Sequence, residues 1–227
     1  LANGDIRKAD IVISNSSIKD TVLRMVGQVH YPESFVTAVS DLQYSFSTYV
    51  LKIALDRELS KESMIFYIGE GDLTGVEDRM EKTGYLPDAA PHLMVPIVSN
   101  LDPEAAPPGK QLIVVGGAPK QPYTAGRDVW DKWEKAMMTS VKVLFPDIEE
   151  HILWMETASP EDLNNFLGEE GSVIGVAQTI GQVGDDRPPF VDPSIKNLYH
   201  CSADTGVSGI GGELAADAAL RLYDYLT

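Results

Sequence analysis

Asn197-Leu198-Tyr199-His200-Cys201 runs directly into Ser202-Ala203-Asp204-Thr205-Gly206-Val207-Ser208-Gly209-Ile210-Gly211-Gly212-Glu213, and the organisation of the chain turns on this join. The first five residues read as a short strand. Beyond the glycines, Ile210, Leu214, Ala218, Leu222 and Leu226 recur at helical spacing and mark the buried face of a C-terminal helix. Four glycines therefore stand where the chain enters a helix. Glycine lets backbone approach a ligand closely, and the N–H groups of a first helical turn, which have no partner inside the helix, attract an anion or a polar carbonyl. Asp204, ending the strand, is placed to accept hydrogen bonds from ligand hydroxyls. The same glycines serve equally well to pack a strand tightly on a helix. Two better-known motifs are excluded: no spacing satisfies G-x-G-x-x-G, and Gly206-Val207-Ser208-Gly209-Ile210 lacks the last glycine of the hydrolase nucleophile elbow.

Upstream of the join, residues 168–193 are rich in Gly, Pro and Asp and have little periodicity, which predicts a long irregular connection and a domain boundary. Within it, Asp185-Asp186 before Arg187-Pro188-Pro189 reads as loop surface, with a lid as the alternative. Ser159-Pro160-Glu161-Asp162 offers an N-cap, a proline at the first helical position and acids in the first turn, so a short helix to Leu167 is expected. A strand is predicted over Ile148–Met155. Before Pro146, Val129, Trp133, Met137 and Val141 recur every four positions, so a helix over Arg127–Leu144 packs one face on a sheet. That sheet is read from Tyr49, Leu51, Ile53 and Leu55 alternating with Thr48, Val50 and Lys52, from Met64–Ile68, and from strands over His92–Ser99 and Gln111–Gly116 joined by a Pro-rich return. Ala9–Asn15 reads as a buried strand after a turn at Asn3-Gly4.

Asn197-Leu198-Tyr199, Ala203-Asp204-Thr205-Gly206 and Gly209-Ile210-Gly211-Gly212-Glu213-Leu214-Ala215-Ala216 together resemble the C-terminal flavin motif of phytoene desaturase-like oxidoreductases. Ser99-Asn100-Leu101-Asp102-Pro103 with Ala106-Pro107-Pro108-Gly109 is similar to the substrate-domain hairpin of that family. Phe145-Pro146-Asp147-Ile148 and Thr157-Ala158-Ser159-Pro160-Glu161-Asp162-Leu163 resemble its next block, and Ala9–Asn15 the strand by which such chains leave the flavin domain. The blocks occur in the family's order through most of the chain. One departure is Ser202, where the family usually has Gly.

The resemblance implies an α+β protein: a mixed or antiparallel substrate-domain sheet covered by helices, plus remnants of an α/β FAD-binding domain. It places residues 1–15 and 176–227 with the FAD-binding domain and 16–175 in the substrate-binding domain. It further implies noncovalent FAD, with Asp204, Thr205, Gly209, Ile210 and Gly211 as cofactor-binding residues, and hydride transfer to or from an apolar isoprenoid or carotenoid-like substrate by a desaturase, saturase or isomerase. No catalytic side chain is assigned. The family's N-terminal glycine fingerprint has no counterpart here, so the chain is expected to be a fragment that binds substrate, retains FAD poorly and does not turn over alone. The alternative is a non-catalytic lipid- or protein-binding module.

Composition narrows the partners. The formal net charge of −16, with no basic cluster, argues against nucleic acid. No apolar run approaches the length of a membrane span. An apolar substrate is nonetheless compatible with transient association at a membrane surface. Cys201 is the only cysteine, which fits a reducing, cytoplasmic compartment. His30, His92, His151 and His200 show no paired metal-ligand spacing, so no metal site is expected. Trp130, Trp133, Met137 and Met138 read as core before channel lining, and Glu149, Glu150 and Glu156 as a solvated strand edge.

Overall fold

Every second side chain of Tyr49–Leu55 is apolar, and that alternation puts Tyr49, Leu51, Ile53 and Leu55 on the buried side of a strand. In the computed structural model, which describes residues 4–227, this strand is the spine of one of two compact units. Phe46–Ser172 forms that unit, and the residues up to Ser45 form the other together with Val173–Thr227. In chain order the elements are β1 (Val12–Ser14), a π-type helical stretch (Asp20–Gly27), α1 (Glu33–Asp41), β2 (Tyr49–Leu55), β3 (Met64–Ile68), α2 (Leu73–Thr83), β4 (His92–Pro96) and α3 (Val98–Leu101). They continue with β5 (Gln111–Gly117), α4 (Arg127–Leu144), α5 (Ile148–His151), β6 (Ile152–Ala158), α6 (Pro160–Leu167), β7 (Leu198–His200) and α7 (Gly212–Leu226). The chain is α+β.

The central unit holds an antiparallel sheet in the order β3-β4-β5-β2-β6. Leu51 faces Val115 and Ile53 faces Ile113 across the β2/β5 pair, so the buried rows of neighbouring strands are in register. Helix α4 covers this side with Trp130, Trp133, Ala136, Met137 and Val141. Each such side chain contributes about 1.5–3 kcal/mol when fully buried. The approach is close at Gly117, where an added Cβ would lie 3.0 Å from Leu93 Cδ2 and 3.2 Å from Met137 Cε. Trp133 Nε1 donates to the Gly117 carbonyl across the same gap. Ser159 and Asp162 form the reciprocal capping box that starts α6. The opposite side of the sheet leaves Met64, Phe66, Ile68 and Met94 exposed.

The second unit is built on a parallel pair, Val12 against Leu198, Ile13 against Tyr199 and Ser14 against His200. Residues 190–192 run antiparallel along the other edge of β7, with His200 N donating to Phe190 O and Asp192 N to Leu198 O. Ile18, Val22, Tyr31 and Val39 make a small separate core.

Several sequence expectations need correction. The strand expected from Ile148 begins only at Ile152, because Asp147 opens one helical turn; Glu149 and Glu150 are therefore on α5 and not on a strand edge. Pro96 ends β4, and the chain turns into α3 instead of extending to Ser99. Ile11, Val12 and Ile13 are 46–53% exposed, so β1 is not a buried strand. Only Leu214, Ala218 and Leu222 of the expected helix face are buried, since Ile210 precedes α7 and Leu226 ends it. Residues 16–45 group with Val173–Thr227, to which their hydrogen bonds go: Ile18 N to Asp204, Tyr31 OH to Asp192 and Gln43 N to Gln182. The two compact units divide at 45/46 and 172/173. The Asn3-Gly4 turn lies partly outside the described residues. No helix among the described residues is long and apolar enough to cross a membrane.

Candidate functional site

Strand β7 ends at His200, and the turn that follows is fastened first by Thr205, whose buried hydroxyl donates to the His200 carbonyl at 3.1 Å. At Gly206 an added Cβ would fall 2.0 Å from the Leu214 carbonyl oxygen. Only glycine lets the backbone of the turn rest on α7 here. Asp204 is 1% exposed, and both of its carboxylate oxygens are used: Oδ2 accepts from Ile18 N at 2.9 Å and Oδ1 from Val176 N at 2.8 Å. Gly175, at φ +73°, lets that second loop come in, for a Cβ there would sit 2.4 Å from Asp204 Oδ1. The Arg187 guanidinium closes the cluster, donating to the carbonyls of Ala203, Val176 and Gln182. Burial lowers the Arg187 pKa, and the Asp204 charge opposes that shift.

Past Gly206 the turn comes to the surface. Gly209 and Gly211 have φ of +92° and +55°, conformations that side chains other than Gly adopt only with strain. Gln178 Nε2 holds the Gly209 carbonyl at 2.9 Å, and the Ile210 amide donates to Glu213 Oε2 at 3.1 Å. Nothing stands within 4 Å of the position a Cβ would take on Gly212. The start of α7, where amide donors and the positive end of the helix dipole converge, is thus presented by glycines on an open face. The five residues singled out in the sequence separate into two groups. Asp204 and Thr205 are interior and organise the turn, whereas Ile210 is exposed and Gly209 and Gly211 are half-buried beside Glu213 and Ile174.

A cluster that sequence reasoning missed gathers around the side chain of His200, the last residue of β7. Asp192 Oδ2 takes hydrogen bonds from Tyr31 OH and His200 Nε2, both at 2.9 Å, while Oδ1 accepts from the amides of Ser194 and Ile195. Burial pushes the Asp192 pKa up, but the Ile195 and Ser194 amides, Tyr31 and His200 together outweigh it and bring the pKa below its ordinary value. Burial, then the bond to Asp192 and its charge, carry the Tyr31 hydroxyl far above the usual range. His200 Nδ1 is buried with no hydrogen-bond partner. Single-residue signals do not reveal such a cluster, because Tyr31 and Asp192 are 161 positions apart. Among the described residues no three His, Cys, Asp or Glu side chains are grouped to hold a metal ion.

No protein-family model matches the chain. Curated proteins do. The chain is 25% identical over 252 residues to the rat pyridine nucleotide-disulfide oxidoreductase domain-containing protein 2, covering 97% of this chain and 43% of that protein. It is 25% identical over 243 residues to the lycopene-forming phytoene desaturase of Pseudescherichia vulneris, covering 99% and 47%. Against the 4,4'-diapolycopene oxygenase of a Methylomonas species it is 22% identical, covering 96% and 45%. The chain is similar to phytoene desaturase-like oxidoreductases along nearly all of its length. It spans less than half the length of these relatives. The fold likewise matches a solved oxidoreductase of Methanosarcina mazei, with a TM-score of 0.51 at 18% identity over 97% of this chain and 44% of that one. The Ser202 hydroxyl accepts from Asp204 N at 3.3 Å, which holds the residue in a local turn.

Proposed function

We propose that this chain forms part of a flavin-dependent oxidoreductase, in which Val173–Thr227 and the residues up to Ser45 belong to an FAD-binding domain and Phe46–Ser172 binds an apolar, isoprenoid-like substrate. The observation that carries this is the open glycine turn at the start of α7, in a chain matched end to end by oxidoreductases. FAD, when bound, supplies the hydride chemistry. The donor set suits it: the amides near Gly209, Ile210 and Gly211 would hold the polar edge of the ring and favour the negative charge that grows there on reduction. Asp204 and Thr205 would act by fixing the path of the turn. Glycine at 209 and 211 allows the positive φ of the turn, and the Glu213 carboxylate, which holds the Ile210 amide, would have to release it to the ring.

The substrate surface is proposed on the open side of the central sheet. Phe66 and Ile68 are 68% and 67% exposed on β3, and Met94 pairs with Phe66 on β4, so an apolar patch stands on a rigid sheet. A surface of that kind suits a long apolar molecule, and contact with the membrane holding such a substrate follows from it. The same patch supports the second reading, a lipid- or protein-binding module without redox chemistry.

β1 bears on how much of the flavin site is here. A parallel pair of three residues each, with Ile11, Val12 and Ile13 half exposed, is far from the doubly covered state that parallel strands require. We infer that further strands belong beside β1 in the whole protein, and that the chain by itself retains FAD poorly. Flavin titration of the whole protein, followed by fluorescence, tests the placement. Gly211→Val, which puts a β-branched residue at φ +55°, is expected to weaken FAD binding by about tenfold or more. Unchanged affinity would remove the turn from the cofactor site, and a colourless whole protein would favour the binding module.

A further inference from the structure

Asp185–Val191 and α7 enclose a cavity of about 260 Å³ that is lined by two arginines in a chain holding 34 acidic and 18 basic residues. Arg221 is fixed at that cavity from two sides. Its guanidinium lies 5.2 Å from the centre of the Phe190 ring, which Tyr225 meets edge-on, and Nη1 donates to the Thr205 carbonyl at 3.2 Å. Some other cations of the chain have carboxylate partners, as Arg24 has Asp20 and Arg127 has Asp131. Among the described residues, no carboxylate comes within 4.0 Å of Arg221 or Arg187. Arg187 is 5% exposed, and its Nε–H is buried without an acceptor. The other Arg187 nitrogens are held by the carbonyls of Val176, Gln182 and Ala203, so Arg187 contributes charge to the cavity and Arg221 the accessible donors. Asp185 also lines the cavity, exposed at its rim, and works against an anion.

We propose that this cavity is a binding site for a small oxyanion, a phosphate or carboxylate group, with Arg221 as the direct ligand and Arg187 supplying positive charge behind it. The walls suit the role. Pro188 and Pro189 stiffen one side, and Phe190 holds the guanidinium plane, so little ordering is needed when the anion enters. The chain's overall charge of −16 repels anions, and the carboxylates of Asp204, which acts on Arg187, and Asp217, which holds the Val207 amide, reduce the local field, so Arg221 carries most of the attraction. The site goes beyond the flavin reading and does not depend on it.

Calorimetric titration of this chain with inorganic phosphate, and separately with acetate, at ionic strength held constant with chloride, tests the proposal. Saturable binding of at least one of the two anions is expected, and which one binds tells phosphate from carboxylate. Arg221→Gln should weaken it about tenfold, as expected for a lost charged hydrogen bond. Asp185→Asn, on the exposed rim, should tighten it by about two- to fivefold by removing a repelling charge. Arg24→Gln, away from the cavity, should leave it unchanged. Absence of saturable binding by both anions overturns the proposal, as does an affinity that neither Arg221→Gln nor Asp185→Asn moves. The Asp185 variant adds affinity, so a loss of folding cannot imitate it.

Discussion

Asp192 is the residue on which the terminal unit leans most. Four donors converge on its buried carboxylate: the Tyr31 hydroxyl, His200 and two backbone amides. The carboxylate accepts a hydrogen bond from His200 Nε2, while the buried Nδ1 has no hydrogen-bond partner. Because the folded pKa of Asp192 is depressed, its contribution to stability is complete above the ordinary value of 3.8 and is lost as pH falls through the lower folded value. Asp192→Asn should therefore destabilise the protein at neutral pH by about 2–4 kcal/mol, since it leaves donors unmatched in the interior. It should also flatten the loss of stability in acid. Guanidinium denaturation followed by circular dichroism at neutral and acid pH checks both. A variant that is as stable as the parent at neutral pH contradicts this role.

At the scale of elements, close approach between turn and helix decides what the last glycines do. Gly206→Ala would drive a Cβ onto the Leu214 carbonyl, a backbone atom that cannot swing aside, and should cost about 2 kcal/mol or more. Gly212→Ala meets nothing and should be neutral or slightly stabilising in a first helical turn. Thermal unfolding of the two variants checks the contrast, and equal effects would show that α7 does not rest on the turn as described. Elements whose cause is local were legible in the sequence: α4 from its four-residue apolar repeat, β2 from alternation, and α6 from Ser159, Pro160 and Asp162. Helices α1 and α2 were not. α2 buries only Met80 and so lacks an apolar stripe, although Asp72 before it and Gly84 after it are ordinary start and stop signals that mark its ends. Ile148 looked like strand because it is buried, but it is buried from a helical turn.

At the scale of the whole molecule, the order of motifs along the chain carried the likeness to oxidoreductases, while the division into units depended on contacts between distant segments. Ile18 and Asp204 are 186 positions apart, and no local pattern announces that their hydrogen bond draws residues 16–45 toward the C-terminal turn. Of the five expected site residues, Gly209, Ile210 and Gly211 reach the surface. Asp204 and Thr205 lie in the turn after β7: Asp204 faces inward because the amides of Ile18 and Val176 need an acceptor, and Thr205 because its hydroxyl donates to the His200 carbonyl. Under the proposed function, the start of α7 in the terminal unit would meet the flavin and the exposed face of the central sheet the apolar substrate. The most direct test is a near-ultraviolet and visible absorbance spectrum of the whole protein and of this chain, each recorded after incubation with FAD and desalting. A flavin band retained by the whole protein and lost from this chain is the predicted result. If neither retains flavin, the proposed cofactor site is contradicted.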